Sequence, residues 1–355
     1  MRKNYILYVL CALLCGLFLL VGCGKEKTEA PSEAAGTITI TDSLGRTVTV
    51  PHPLTRVVVS NAYNAELINA VGSLDTVVGV DNYIFNDPSA FPGRFTKDQV
   101  IGANQGNLNY EKIIELQPQA LILTGNGAWE DATEKLGKFG IRVIVVDAYY
   151  TSQFEKNCAL IGTLFGKEAE AKELSDFFME QLAYIQRQTA DIPKKKLYFE
   201  YREEGSTTVP GNYFYDMVKY AGADNIFEDA KNPQVNIEAV IERNPAYIVK
   251  VSEPKVSASY IPPTPEDHAR ILRTITTRTG WDTIDAVKND RILLLSHYVH
   301  GGASKLVGTM YIAKFLYPEQ LPDLHPEDVF KVWLEKYQHL PYVSGHTYPA
   351  YQLGE

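Results

Sequence analysis

Cysteine is scarce in this sequence, and its placement is uneven. Four occur in 355 residues, and Cys11, Cys15 and Cys23 all sit near the N-terminus. Only Cys158 lies beyond them, so a chain that loses its leader has no internal disulfide, even in a compartment that permits one. Cys158 falls in the helix-like stretch FEKNCALIG, where a buried structural thiol is expected rather than a nucleophile. Positive charge is also in deficit. Thirty-four Lys and Arg face 43 Asp and Glu, for a formal net charge of −9, and no basic stripe compensates. That excludes a nucleic-acid partner. Hydrolase signatures are missing too: there is no HExxH and no GxSxG. The seven histidines contain one close pair, His297 and His300, in LLLSHYVHGG.

The N-terminus does not belong to the folded part. Two basic residues precede an apolar run from Tyr5 to Val21, and Gly22-Cys23 follows. This is the layout of a signal peptide over residues 1–22. An uncleaved anchor is the alternative, because 17 apolar residues reach the short edge of what spans a bilayer. The ending LVGC resembles a bacterial lipobox, which implies lipidation of Cys23 and export to the outer face of the cell membrane. Removing residues 1–22 takes away Arg2 and Lys3 and no acid, so the mature chain is more acidic still. Residues 24–36 are polar and poor in apolar side chains, and residues 23–36 read as a lipidated cysteine with a flexible tether.

More than 300 residues then remain, enough for two domains of about 150 residues each. TITITDSLGRTVTV alternates around Ser43–Gly45 and predicts a hairpin. Five apolar runs follow, RVVVS, TVVGV, QVIG, ALILT and RVIVVD, most of them separated by helical patterns. Short β-rich runs alternating with helices predict an α/β fold with a mainly parallel sheet covered on both faces. From Thr151 the strand signals stop. Leu174, Phe177, Phe178, Leu182 and Ile185 share one helical stripe, between Gly166 and Pro193. Residues 151–193 are therefore expected to be a connecting helix. It would separate an N-terminal lobe (37–150) from a C-terminal lobe (194–355), where the βα alternation resumes.

One phrase occurs twice. NLNYEKIIELQPQALIL, shifted by 127 positions, lies on QVNIEAVIERNPAYIV: Asn109 meets Asn236, Glu111 meets Glu238, Ile114 meets Ile241 and Pro118 meets Pro245. Each copy reads as a helix feeding a strand, so two similar lobes are expected. Acids favour helix starts in general, which accounts for Glu at each site but not for the matched context.

Other motifs are weaker. LILTGNGAWED places Gly125 and Gly127 between a strand and a helix, with Asp147 at the end of the next strand. A nucleotide-dependent oxidoreductase would use such a loop, but Glu130 stands where the third glycine should be and repels a pyrophosphate. A βα loop with two turn glycines is the plainer reading. GTLFGKE has the wrong spacing for a phosphate loop. Tyr63, Tyr83, Tyr149, Tyr150, Tyr201, Tyr213 and Tyr298 fall near strand ends, where α/β crevices bind ligands. Tyrosine joins an apolar face to a hydroxyl and suits a large planar or chelated ligand. Arg202, just past a strand, would balance an anionic ligand, although Glu203 and Glu204 are its neighbours. His297 and His300 would face a ligand, or bind a metal ion if its coordination is open.

Taken together, TDSLGRTVTVP, the two copies of the repeated phrase, GWDTIDAVKNDRILLL and VGTMYIAKFLYPE resemble the substrate-binding lipoproteins of ABC importers for iron–siderophore complexes, haem and cobalamin. The resemblance runs from Thr37 to about Pro318. It implies two Rossmann-like lobes joined by a long rigid helix, with the ligand in the cleft between them and only small closure on binding. It also implies that Glu111 and Glu238 dock onto arginines of a permease dimer, one per lobe. No cofactor and no catalysis are implied. The chain is expected to be a monomer that meets the membrane through its lipid only. Its ligand would be an iron chelate, with a corrinoid, haem or a bare metal ion as alternatives. Tyr63, Tyr83, Trp129, Tyr149, Tyr201, Arg202, His297, Tyr298 and His300 are the expected contacts. The family's Gly-Pro-Arg before the last domain helix is Gly302-Ala303-Ser304 here, which leaves Lys305 as a point-charge substitute.

Overall fold

Two parallel sheets with one strand order define the molecule. The computed structural model describes residues 36–87, 89–252 and 260–353. The leader, Cys23 and nearly all of the tether lie outside the described residues. The chain enters through an antiparallel hairpin, β1 (Gly36–Thr41) and β2 (Thr47–His52). Asp42 fixes its turn by accepting from Leu44 N and Arg46 N and pairing with the Arg46 guanidinium.

The first sheet contains β3 (Val57–Val59), β4 (Val77–Val80), β7 (Ala120–Leu123) and β8 (Arg142–Val145), in the order β4-β3-β7-β8 and parallel throughout. Every residue of β3 and β7 is buried, as expected of strands covered on both faces. The run QVIG does not join as a full strand. It makes a single bridge, Val80 to Val100, and leads into a small antiparallel ladder of β5 (Gly102–Asn104) and β6 (Asn107–Leu108). Gln99 is occupied in a capping box with Thr96, and Gly102 turns the chain at φ 145°.

The second sheet repeats the plan. β9 (Lys196–Glu200), β10 (Asp224–Asn225), β11 (Tyr247–Val251) and β12 (Ile292–Leu295) lie in the order β10-β9-β11-β12, all parallel. In each sheet the first strand pairs with the second on one side and the third on the other. A short antiparallel β13 (Thr347–Tyr348) extends the second sheet.

The helices that matter here are α1 (Ala62–Ala70), α2 (Tyr110–Glu115), α3 (Trp129–Gly137), α4 (Phe154–Phe165), α5 (Glu168–Thr189), α6 (Ile237–Arg243), α7 (Ser304–Leu316) and α8 (Pro326–Val332). The single helix expected over 151–193 is in fact two. Gly166 takes the left-handed conformation at φ 64° and ends α4, the usual role of glycine just past a helix end. α5 then packs against α4, so closely that a Cβ on Gly162 would lie 2.6 Å from that of Ala171. α5 is the rod: 22 residues, about 33 Å long. Leu174, Phe178, Leu182 and Ile185 are buried along it, with Phe177 partly so. Cys158 is buried inside α4, and that burial, with Glu155 nearby, pushes its thiol pKa well up.

The C-terminal segment ties the halves together. Lys336 pairs with Glu173 on α5, Asn69 on α1 donates to the Gln338 carbonyl, and Gln338 donates to the Glu66 carbonyl. The principal apolar core runs unbroken from Val57 and Ile122 in the first sheet to Leu293 and Leu295 in the second.

Candidate ligand-binding cleft

Loops at the carboxyl ends of five strands line one cavity of about 570 Å³. Asn61 to Glu66 follow β3, Asp81 to Asp87 follow β4, and Asn126 follows β7. Arg202 follows β9 and His297 follows β12. Ligands bind in such crevices because strand ends and helix starts converge there. A wider groove of about 750 Å³ lies between the hairpin and α4, lined by Thr41, Ser43 and Lys156 among others. It shares no lining residue with the first cavity and holds none of the expected contact residues.

Asp81 builds the first wall. Its carboxylate accepts from Ser60 Oγ at 2.6 Å, Asn61 N at 2.9 Å and Ile84 N at 3.0 Å. Asn61, held at φ 95°, in turn caps α1 by accepting from Tyr63 N. Tyr63 and Glu66, three residues apart, share the face of α1 that lines the cavity. Glu66 is 5% exposed, and its Oε2 has no hydrogen-bond partner. Burial first, and the nearby Asp87 second, raise its pKa to about 8. Tyr83 is 63% exposed at the rim.

Arg202 and His297 form the facing wall. Arg202 Nη2 donates to His297 Nδ1 at 2.8 Å, and the guanidinium lies 5.0 Å from the Tyr201 ring. Burial, then the Arg202 charge, lowers the His297 pKa to about 3, so the imidazole is neutral. Arg202 Nε is buried and unpartnered. At Tyr63 and Glu66 the lobes touch: a Cβ on Gly301 would collide with the Tyr63 ring, and one on Gly302 would lie 2.8 Å from Glu66 Oε2. Glycine is required there by close approach.

Five of the expected contacts lie elsewhere. His300 is 1% exposed, stacked 5.2 Å from Phe214 and bonded through Nδ1 to the His297 carbonyl. Its ring is a core element behind the cleft wall. Tyr298 is buried against Tyr260, Phe330 and His346. Tyr201 supports Arg202 from behind and packs on Phe214. Trp129 opens α3, half-buried, with the Arg46 guanidinium 4.5 Å over its ring. Tyr149 packs on Tyr150 and Tyr213. Lys305 does not face a ligand either. It is 1% exposed, and its amine donates to the carbonyls of Tyr149 and Tyr213 (2.9 Å for Tyr213). Burial depresses its pKa to about 7.

Among the described residues no group of three or more His, Cys, Asp and Glu is placed to hold a metal ion. The loop of Gly125 and Gly127 does not offer a phosphate cradle. Gly125 N already donates to Asp147 Oδ1 at 2.6 Å, and that carboxylate would repel a pyrophosphate. The two copies of the repeated phrase do fold alike. Asn109 caps α2 and Asn236 caps α6, each helix carries its glutamate exposed in the first turn, and each feeds the third strand of its sheet.

The comparisons agree with this geometry. A model described as "Periplasmic binding protein" matches residues 57–298. The chain belongs to the periplasmic binding protein family. It is similar to an uncharacterized ABC transporter substrate-binding lipoprotein, YvrC, of Bacillus subtilis, with 28% identity over 87% of this chain and 96% of the relative. It is also similar to the vitamin B12-binding protein of Salmonella typhimurium, 26% identical over 55% of this chain and 71% of the relative. Among solved structures, a TroA-like periplasmic binding protein, FepB, of Veillonella parvula aligns with a TM-score of 0.73 at 24% identity, covering 87% of this chain and 99% of that one. Molybdate-bound MolA of Haemophilus influenzae aligns at 0.68 with 19% identity, covering 86% and 99%. The fold is therefore the two-lobed α/β fold of this family, and the protein is a substrate-binding component of an ABC importer. Such proteins bind solutes outside the cytoplasm and are not enzymes. No helix of the described residues is long and apolar enough to cross a membrane.

Proposed function

We infer that the protein is a lipid-anchored carrier that delivers an iron chelate, of the iron–siderophore kind, to its importer. The observation that carries this reading is a cavity of the described residues on which strand ends of both sheets converge, with Tyr63 on one wall and Arg202 on the other. Its volume suits a small organic complex. An isolated oxyanion would leave most of that space empty and would meet one cationic side chain, Arg202. A bare metal ion is poorly served, because one His297 ring nitrogen is already bonded to Arg202 and His300 is sequestered. A corrinoid, as bound by the B12-binding relative, is bulkier and would need the walls to move apart.

Glu111 and Glu238 are the proposed permease contacts. Both are exposed at matched sites, and a pair of carboxylates on a rigid body selects orientation as well as partner. Cys23 is the proposed lipid attachment, and Cys23→Ala would release the protein from membranes on fractionation. The test of cargo is calorimetric titration of the mature chain with ferric siderophores, ferric citrate, haem, cobalamin, molybdate, NAD and free ferric ion. Saturable binding of one chelate at sub-micromolar Kd is expected. Silence from every chelate beside a response to NAD or to a bare ion would overturn the reading.

A further inference from the structure

Two polar groups on opposite cleft walls lack partners. Glu66 Oε2 on α1 and Arg202 Nε are both buried and unpartnered, and both residues line the one cavity. A buried polar atom left without a partner costs about 1–3 kcal/mol, and here each belongs to a side chain that lines the cavity, so a ligand group that turned either side chain toward it would relieve that cost. The walls differ in sign. Asp81 and Asp87 lie on the Glu66 side, and Arg202 is the cation facing them. An anionic oxygen beside Glu66 would be repelled by these carboxylates, whereas one beside Arg202 would be held.

Resting on the carrier reading, we propose that Glu66 is a cargo-contacting residue whose carboxyl group donates a hydrogen bond to an uncharged oxygen acceptor of the ligand, while Arg202 takes the ligand's anionic end. The cleft thus selects an unsymmetrical, oxygen-rich chelate and fixes which end enters first. The close approach of Gly301 and Gly302 holds both side chains in place: a side chain at either glycine would displace Tyr63 or the Glu66 carboxyl.

A carboxylic acid donates only while it keeps its proton, and with a pKa of about 8 Glu66 does so at neutral pH. The titratable groups around it do not mask this. Tyr63 on its own helix and Tyr298, close enough to feel its charge, are both pushed well above their ordinary range by burial, and His297 stays neutral above pH 3. Asp87 and Asp81, after β4, and Arg202, after β9, are the remaining charges lining the cavity.

The experiment measures Kd from pH 6 to 9.5 for the chelate that binds best in the titration, on wild type, Glu66→Gln and Glu66→Leu, with thermal melts of the ligand-free proteins alongside. Wild type should weaken about tenfold between pH 7 and pH 9, the change in its protonated fraction about a pKa of 8. Glu66→Gln keeps a donor and should show no such slope, with affinity within about threefold of wild type at pH 7. Glu66→Leu should bind about tenfold more weakly at every pH, the loss of one hydrogen bond. The proposal is overturned if Glu66→Gln retains the wild-type slope, or if Glu66→Leu binds as wild type does. It is overturned independently of any ligand if the melting difference between wild type and Glu66→Gln does not change with pH, since Glu66 would then not hold its proton. Silence of every chelate, with that melting difference still pH-dependent, overturns the carrier reading and the cargo contact together while leaving the proton on Glu66.

Discussion

Each lobe buries one glutamate near the carboxyl end of its first strand, and the two are treated in opposite ways. Glu200, at the end of β9, receives both Arg278 Nη atoms at 2.8 Å, the Lys250 ammonium at 2.8 Å and the Tyr198 hydroxyl at 2.9 Å. Burial alone would raise its pKa, but Arg278 and Lys250 outweigh it and the net shift is downward. Glu66, in the turn-and-helix after β3, has no such partners, and its pKa rises. The same strand order thus supports a closed ionic network in one lobe and an open carboxyl in the other. The closed one holds structure, since Lys250, near the end of β11, is buried and lies opposite Glu200 in the sheet. The open one is the proposed cargo contact.

Removing Glu200 breaks the comparison most forcefully. Glu200→Gln removes the buried carboxylate that Arg278 and Lys250 share, leaving Arg278 to the more exposed Glu204 and Lys250 to backbone carbonyls, and should cost about 3–5 kcal/mol in urea unfolding. The pH profiles should also run in opposite senses. Glu200, with its folded pKa depressed, contributes stability that is present above about pH 4.5 and lost as pH falls. Glu66, with its folded pKa raised, contributes stability that is present below about pH 4.5 and lost as pH climbs through about 8. Gln stands in for the protonated acid in both, so both variants should approach wild type in acid and part from it in opposite directions as pH rises, Glu200→Gln melting below wild type and Glu66→Gln above it.

Arg202 comes next in size. Arg202→Gln should weaken the bound chelate by about tenfold to a hundredfold, the worth of one charge-assisted hydrogen bond, with stability nearly unchanged because the side chain is only half-buried. The symmetric features should give symmetric effects. Glu111→Lys and Glu238→Lys should each reduce chelate uptake by cells while leaving cargo affinity in solution alone, and the double variant should abolish uptake. Unequal single effects would show that the lobes do not meet equivalent permease surfaces. The smallest test is of the caps: Asn109→Ala and Asn236→Ala should each cost about 1 kcal/mol, equally in the two lobes.

Much of this symmetry was legible in the sequence because it rests on local rules. The repeated phrase encodes a cap, a helix and a strand within 17 residues, and both copies fold as that spacing predicts. Apolar runs such as ALIL and ILLL could only be covered strands. The cleft was less legible. Strand-end position drew attention to Tyr63, Tyr83, Arg202 and His297, which do line it, but equally to Tyr149, Tyr298 and His300, which do not. Position along a strand-end loop does not say which way a ring turns, and Tyr298 and His300 turn into the core of the second lobe. Glu66 was missed because NAELINAV scans as an ordinary helix. The available signal was an acid among Ala65, Leu67 and Ile68, all buried, on a helix with no exposed face to put it on. Gly166 showed where the connecting rod is broken, but it was read as punctuation at one end of the helix.

The measurement that bears most directly on the account is a calorimetric titration of the best-binding ferric chelate into three proteins: wild type, Tyr63→Ala from one wall and Arg202→Gln from the other. The account predicts one site per chain, sub-micromolar Kd for wild type, and a loss of tenfold or more from each wall separately. Full-strength binding to both variants would place the ligand outside this cleft and contradict the account.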